Sequence, residues 1–121
     1  MAVAKKNRRK IVVDGRDFYW NVTEDEDEYY GGFILTIVSD DKHFLVRYPL
    51  NQPQNQLKFR ANYIVVEGRD FYGNGNFGGS WQRVVCPIFD ETEAVTPSTV
   101  REIILWSLTD KENTFAEWPG P

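Results

Sequence analysis

Hydrophobic and polar positions alternate along most of the chain in short runs, and Gly, Pro, Asn and Asp separate each run from the next. The first run, Lys10 to Asp14, carries the β-branched Ile11, Val12 and Val13, and Asp14-Gly15 supplies a turn after it. From Asp17 to Thr23 the chain sets Phe18, Trp20 and Val22 against Asp17, Tyr19 and Asn21. That is the two-residue period of a strand with one buried face, so the two runs predict an opening hairpin. Phe33 to Ser39 and His43 to Tyr48, joined by the turn chemistry of Ser39-Asp40-Asp41-Lys42, predict a second. Pro49 to Gln56 is polar and reads as an exposed loop. Strand signal resumes at Leu57 to Phe59 and at Tyr63 to Glu67, and a last strand is expected over Trp81 to Ile88, with Pro87 placing its end at a sheet edge.

The period then changes. Thr96 suits an N-cap and Pro97 the first helical position, and Val100, Ile103, Ile104, Ser107 and Leu108 fall on one helical stripe that Leu105 and Trp106 widen. Glu91 and Glu93 just before it suit the positive end of a helix dipole. The pattern predicts an α+β fold: a twisted antiparallel sheet of about five to seven strands with one C-terminal helix, about Pro97 to Leu108, on one face. Val100, Ile103, Ile104 and Leu108 are expected to pack against Val12, Trp20, Ile37 and Val65.

One motif occurs twice. Ile64-Val65-Val66-Glu67-Gly68-Arg69-Asp70-Phe71-Tyr72 repeats Ile11-Val12-Val13-Asp14-Gly15-Arg16-Asp17-Phe18-Tyr19 with Glu67 in place of Asp14. A duplicated half-domain and convergence on one hairpin solution both explain the echo.

Size and composition make this a single folded domain over residues 1–121. At 121 residues the chain builds one core, and a content of 41% hydrophobic and 15% aromatic residues is enough apolar surface to offset ordering entropy. No run approaches the length of a membrane span, and Met1 to Ala4 lacks the apolar region of a secretory signal, which predicts a cytoplasmic protein. Cys86 is the one cysteine, so neither an intramolecular disulfide nor a cysteine-based zinc site can form within the chain.

The net charge of −4 is unevenly laid out, because Lys5, Lys6, Arg8, Arg9 and Lys10 leave nine Lys and Arg against 18 Asp and Glu in the remainder. That acidic body repels nucleic acid, and the basic arm, residues 1–9 or so, reads as a flexible, solubilising terminus. Residues from about 110 to 121 read as a tail with Trp118 as its anchor. Glu24, Asp25, Glu26, Asp27 and Glu28 form an unbroken acidic block that repels itself and is expected to be a solvated loop.

The opening hairpin ending in Trp20, the segment Val95-Thr96-Pro97-Ser98-Thr99-Val100-Arg101-Glu102-Ile103-Ile104, and Trp118-Pro119 resemble those of a loose group of small, uncharacterised bacterial proteins. The resemblance implies the same fold, a short opening hairpin with an aromatic exit and a terminal helix introduced by Thr-Pro. It carries no activity.

Candidate chemistry is sparse. His43 lies beside a turn, where it reads as surface, and Cys86 before Pro87 in an apolar run reads as a buried, inert thiol. The acidic block lacks the apolar setting of a glycosidase carboxylate pair and the ligand spacing of a calcium loop. Gly73 to Gly79 lacks the Lys-Ser/Thr and the following helix of a phosphate loop. No catalytic, cofactor or metal residue is assigned, and no cofactor is expected. Tyr29, Tyr30, Tyr72, Phe77 and Trp81 lie in or beside loops, where they suit contact with a partner or ligand, as does the block Glu24 to Glu28. Two functions are expected from this. The first is a non-enzymatic interaction module of a bacterial cytosolic protein, binding another protein or a second copy of itself. The second is a small-molecule-binding domain whose pocket is rimmed by the Gly-rich and acidic loops.

Overall fold

Asp14 and Gly15 both take positive φ, 51° and 78°. These are the two central positions of the tight turn whose twist matches that of the strands it joins, and Asp-Gly suits them because Asp tolerates the left-handed region and Gly has no Cβ. The turn sets the register of β1 (Arg9–Val13) against β2 (Arg16–Glu24), from Val13 opposite Arg16 to Arg9 opposite Trp20. The structure is a computed structural model and describes residues 8–24, 32–52, 62–72, 81–91 and 94–114. Four further strands follow: β3 (Phe33–Ser39), β4 (Leu45–Pro49), β5 (Tyr63–Val66) and β6 (Gln82–Val85). All six form one antiparallel sheet in chain order, and α1 (Pro97–Leu108) closes it.

The helix begins where its signals fall. The Thr96 hydroxyl accepts the Thr99 amide at 3.3 Å, the Thr99 hydroxyl accepts from the Thr96 amide, and Pro97 fills the first turn. Val100, Ile103 and Ile104 are fully buried, and Leu108 packs partly buried at the margin. Their partners differ from the expected set in two places. Trp20 and Ile37 face the helix, whereas Val12 is 51% exposed and Val65 is buried outside the helix-side cluster. Runs such as Ile11-Val12-Val13 and Ile64-Val65-Val66 leave the choice of face open, and cross-strand register decides it. Ile11 lies opposite Phe18, which sends Ile11 and Val13 inward, and Val46 opposite Val66 likewise sends Ile64 and Val66 inward. Ile34, Val38, Tyr63 and Val65 are buried as well, so the sheet is apolar on both faces.

The echoed motif adopts two structures. Its first copy is the β1–β2 hairpin. The second leaves β5 and turns along the start of β4, where Leu45 O accepts Glu67 N at 3.0 Å and His43 O accepts Asp70 N at 3.0 Å. Phe18 and Phe71 are both buried, yet the backbones before them run differently, so the two copies are not a structural repeat.

Three loop readings change. Pro49 is buried as the last residue of β4, and buried Gln52 donates to Pro49 O and Tyr63 O while accepting Tyr63 N, so these two residues are not exposed as expected, and residues 53–56 of the expected loop lie outside the described residues. Arg9 opens β1 and Arg8 stacks on Tyr19 at 4.3 Å, so the first strand begins inside the expected arm. Residues 110–114, expected as tail, are bonded to the body: Asn113 Nδ2 donates to Tyr72 O and Thr114 O accepts Val85 N, both at 2.7 Å. The expected strand at Leu57 to Phe59 lies outside the described residues, as do residues 1–7 of the arm.

Candidate functional site

Only part of the sequence-derived site falls within the described residues. Asp25, Glu26, Asp27, Glu28, Tyr29, Tyr30 and Phe77 lie outside them. Glu24 is the exposed last residue of β2. Trp81, 51% exposed, lies just before β6 with the Arg83 guanidinium 4.6 Å from its ring centre. Tyr72, 42% exposed, sits at the C-terminal end of α1, where its amide donates to Ser107 O at 2.9 Å. Tyr72 and Trp81 thus take different partners, and neither lines either of the two open depressions described next.

One depression, of about 320 Å³, is lined by Arg9, Trp20, Asn21, Val22 and Val95. It opens where β2 and β3 run on past the helix. Val22 lies opposite Leu35 and Glu24 opposite Phe33, so Val22 and Phe33 continue the core face of the sheet. They are nevertheless 38% and 53% exposed. The Arg9 guanidinium stacks 5.4 Å from the centre of a Trp20 ring, setting one cation at the edge of an apolar patch. Sequence periodicity placed Val22 on the core face and cross-strand register places Phe33 there, while the stripe of a helix beginning at Pro97 gave no measure of how far along the strands it would reach.

A second depression, of about 270 Å³, lies beside the β1–β2 turn among Gly15, Arg16, Asp17, Asp40 and Asp41. Here the two copies of the echo meet. Arg16 Nη2 donates to Asp41 at 3.1 Å and to Asp70 at 2.5 Å, and Arg69 Nη2 lies 3.2 Å from His43 Nδ1. Asp41 also accepts the Ser39 hydroxyl at 2.6 Å and the His43 amide at 3.0 Å. Those two bonds, with Arg16 adding to them, hold the Asp41 carboxyl well below the usual carboxylate range. Asp41, His43 and Asp70 can bring one ligand atom each within 4.8 Å of one another. A divalent cation would have to displace Arg16, which already bridges the two carboxylates, so the cluster acts as a brace between the β1–β2 turn, the β3–β4 turn and the segment after β5. Because the folded state lowers the Asp41 pKa, Asp41 stabilises the fold above its unfolded pKa of about 4 and loses that contribution as pH falls below it. The stability gap between wild type and Asp41→Asn is therefore expected to narrow on acidification from about pH 6 to about pH 2, as thermal melts across that range would show.

A third group is buried. Tyr48 donates to Asp90 Oδ1 at 2.8 Å and accepts from Phe89 N at 3.0 Å and Asn62 Nδ2 at 3.2 Å, and Asp90 Oδ2 accepts Asn51 N at 2.6 Å. Burial raises the Tyr48 phenol well above its ordinary range, helped by Asp90. Cys86, 3.4 Å from Asn62 Nδ2, is pushed up to about 12 by burial. A thiol held protonated is a poor nucleophile. Native protein at about pH 8 is expected to react with a thiol-specific disulfide reagent only as fast as it unfolds, so the labelling rate should rise with denaturant. The network joins β4 to the segment after β6 and serves the fold.

No helix among the described residues is long and apolar enough to cross a membrane. Comparison of the chain with protein-family models, with curated proteins and with solved structures gave no match.

Proposed function

We propose that this chain is a protein-interaction module that docks a partner at the end of the sheet where Val22 and Phe33 stand uncovered. The observation that supports this reading is the exposure of two core-face apolar side chains next to Trp20 and Val95, at the end of the sheet where Glu24 begins the acidic run. Such a surface suits a partner that offers an apolar anchor flanked by cations, since apolar contact supplies the affinity and opposite charge accelerates and orients encounter. In this reading the protein works in a bacterial cytosol, which rests on the sequence resemblance.

A photo-crosslinking residue at position 33 is expected to capture a discrete partner. The variant Phe33→Asp should lose that partner while keeping the wild-type melting temperature. Replacing Glu24, Asp25, Glu26, Asp27 and Glu28 by Gln or Asn should weaken the complex, and the wild-type affinity should fall as salt rises. Equal binding by wild type and Phe33→Asp would overturn the reading. A second reading, a small-molecule site, draws on the open depression beside the patch, which is lined by Arg9, Trp20, Asn21, Val22 and Val95 and not by the Gly-rich and acidic loops expected to rim a pocket. Native mass spectrometry showing a stoichiometric small molecule, lost in Val22→Arg, would decide for it.

A further inference from the structure

Three aromatic side chains at the C-terminal end of α1 surround a cation that belongs to the chain itself. Lys111 Nζ lies 4.2 Å from the centre of the Phe71 ring, 4.6 Å from a ring of Trp106 and 5.8 Å from that of Tyr72. It donates to the carbonyls of Ser107 and Thr109 at 3.1 and 3.2 Å. Phe71 and Trp106 meet edge to face with centroids 5.6 Å apart, so mutual packing fixes two walls. Ring faces and the last carbonyls of a helix are both electron-rich, and both favour a cation. Asp110, bonded to the Tyr72 hydroxyl, adds a negative charge nearby.

A primary ammonium is nonetheless an imperfect occupant. Burial pushes Lys111 down to about 8, against the opposing pull of Asp110, because a strongly hydrated ammonium loses water on entering. An N-alkylated ammonium carries the same charge with weaker hydration and presents methyl groups to the rings. Nor does the departure of Lys111 strand a buried acceptor. Ser107 O keeps the Tyr72 amide, and Thr109 is exposed to water.

The geometry points to an alkylammonium-binding site built by Phe71, Tyr72 and Trp106, which Lys111 closes as a tethered occupant. A free quaternary amine and an N-methylated lysine side chain offer the same chemistry. Either must displace Lys111, and with it the segment whose Thr114 carbonyl accepts Val85 N at the side of β6 away from β5. The site is separate from the Val22–Phe33 patch and does not depend on it.

The test is a titration of ¹⁵N-labelled wild type and Lys111→Ala with tetramethylammonium chloride, against sodium chloride of equal ionic strength. Saturable shifts are expected at the Trp106 indole and the Tyr72 amide, with binding to Lys111→Ala about tenfold tighter or more, because the tether no longer competes. In wild type, hydrogen exchange at the Val85 amide should rise as the site fills. Choline and N-acetyl-trimethyllysine amide then separate the two sources, the tighter ligand naming the class. No saturable response in either protein, equal affinity in both, or a response that survives Trp106→Leu would overturn the site. Should Lys111→Ala lose the native spectrum, Lys111→Met keeps the aliphatic stem, and the wild-type titration decides by itself.

Discussion

Gly68→Ala is expected to destabilise the fold by about 3 kcal/mol or more, lowering the melting temperature by roughly 10 °C or more. The reason is close approach, since Gly68 is not among the residues with positive φ. A Cβ at this position would press against the His43 carbonyl oxygen and lie 2.6 Å from the Leu45 nitrogen. Both are backbone atoms fixed by their own bonds, His43 O to Asp70 N and Leu45 to the β3–β4 ladder, so neither can turn aside as the tip of a side chain would. Gly15→Ala is the informative contrast, because nothing lies within 4 Å of its added Cβ and the strain comes from φ alone. It should cost about 1 kcal/mol, so a chemical-denaturation series that ranked Gly15→Ala as the worse change would contradict this account.

The second large effect is expected at Asp90. Asp90→Ala removes the acceptor for the Tyr48 hydroxyl and the Asn51 amide and leaves a buried phenol donor unanswered, a loss of about 3 kcal/mol. Asp90→Asn should lose roughly half as much, since the amide keeps one acceptor oxygen. Tyr48→Phe acts on the same network, because its hydroxyl also accepts from Phe89 N and Asn62 Nδ2. The double variant should therefore lose less than the sum of the singles, by about 1 kcal/mol or more in a double-mutant cycle. Strict additivity would mean that the two side chains are not coupled.

These two positions mark the boundary of what the sequence discloses. Secondary structure was legible wherever a local rule acts: Asp14-Gly15 at a hairpin turn, Thr96-Pro97 at a helix start, and the alternation from Phe18 to Val22. Facing was legible for Trp20 and Ile37, flanked by polar residues or Thr36, and illegible in Ile-Val-Val runs, where only pairing with the next strand breaks the tie. The Tyr48–Asp90 bond spans 42 residues, and nothing near Asp90 announces a buried carboxylate. The aromatic wall at Lys111 was half visible, since Tyr72 stood out as a loop aromatic and Trp106 read as part of the helix's apolar face, while Phe71 was singled out only as a member of the echo. The echo misled most, because nine nearly identical residues follow different paths once β4 is present to receive one of them.

The order of the strands also carries a consequence for synthesis. Among the described residues, β1 to β6 pair with one another in chain order, so each strand can add to the sheet soon after it leaves the ribosome, with little loop entropy to overcome. The helix is different: it follows all six strands and yet packs against β1. Until it emerges, Phe18, Trp20, Ile37, Val46 and Ile64 face solvent on one side of a nearly finished sheet. At about 5–20 residues per second that interval lasts seconds, long against the microseconds of hairpin closure. A nascent chain stalled before Pro97 is therefore expected to be a chaperone substrate, and one released after Leu108 should not be.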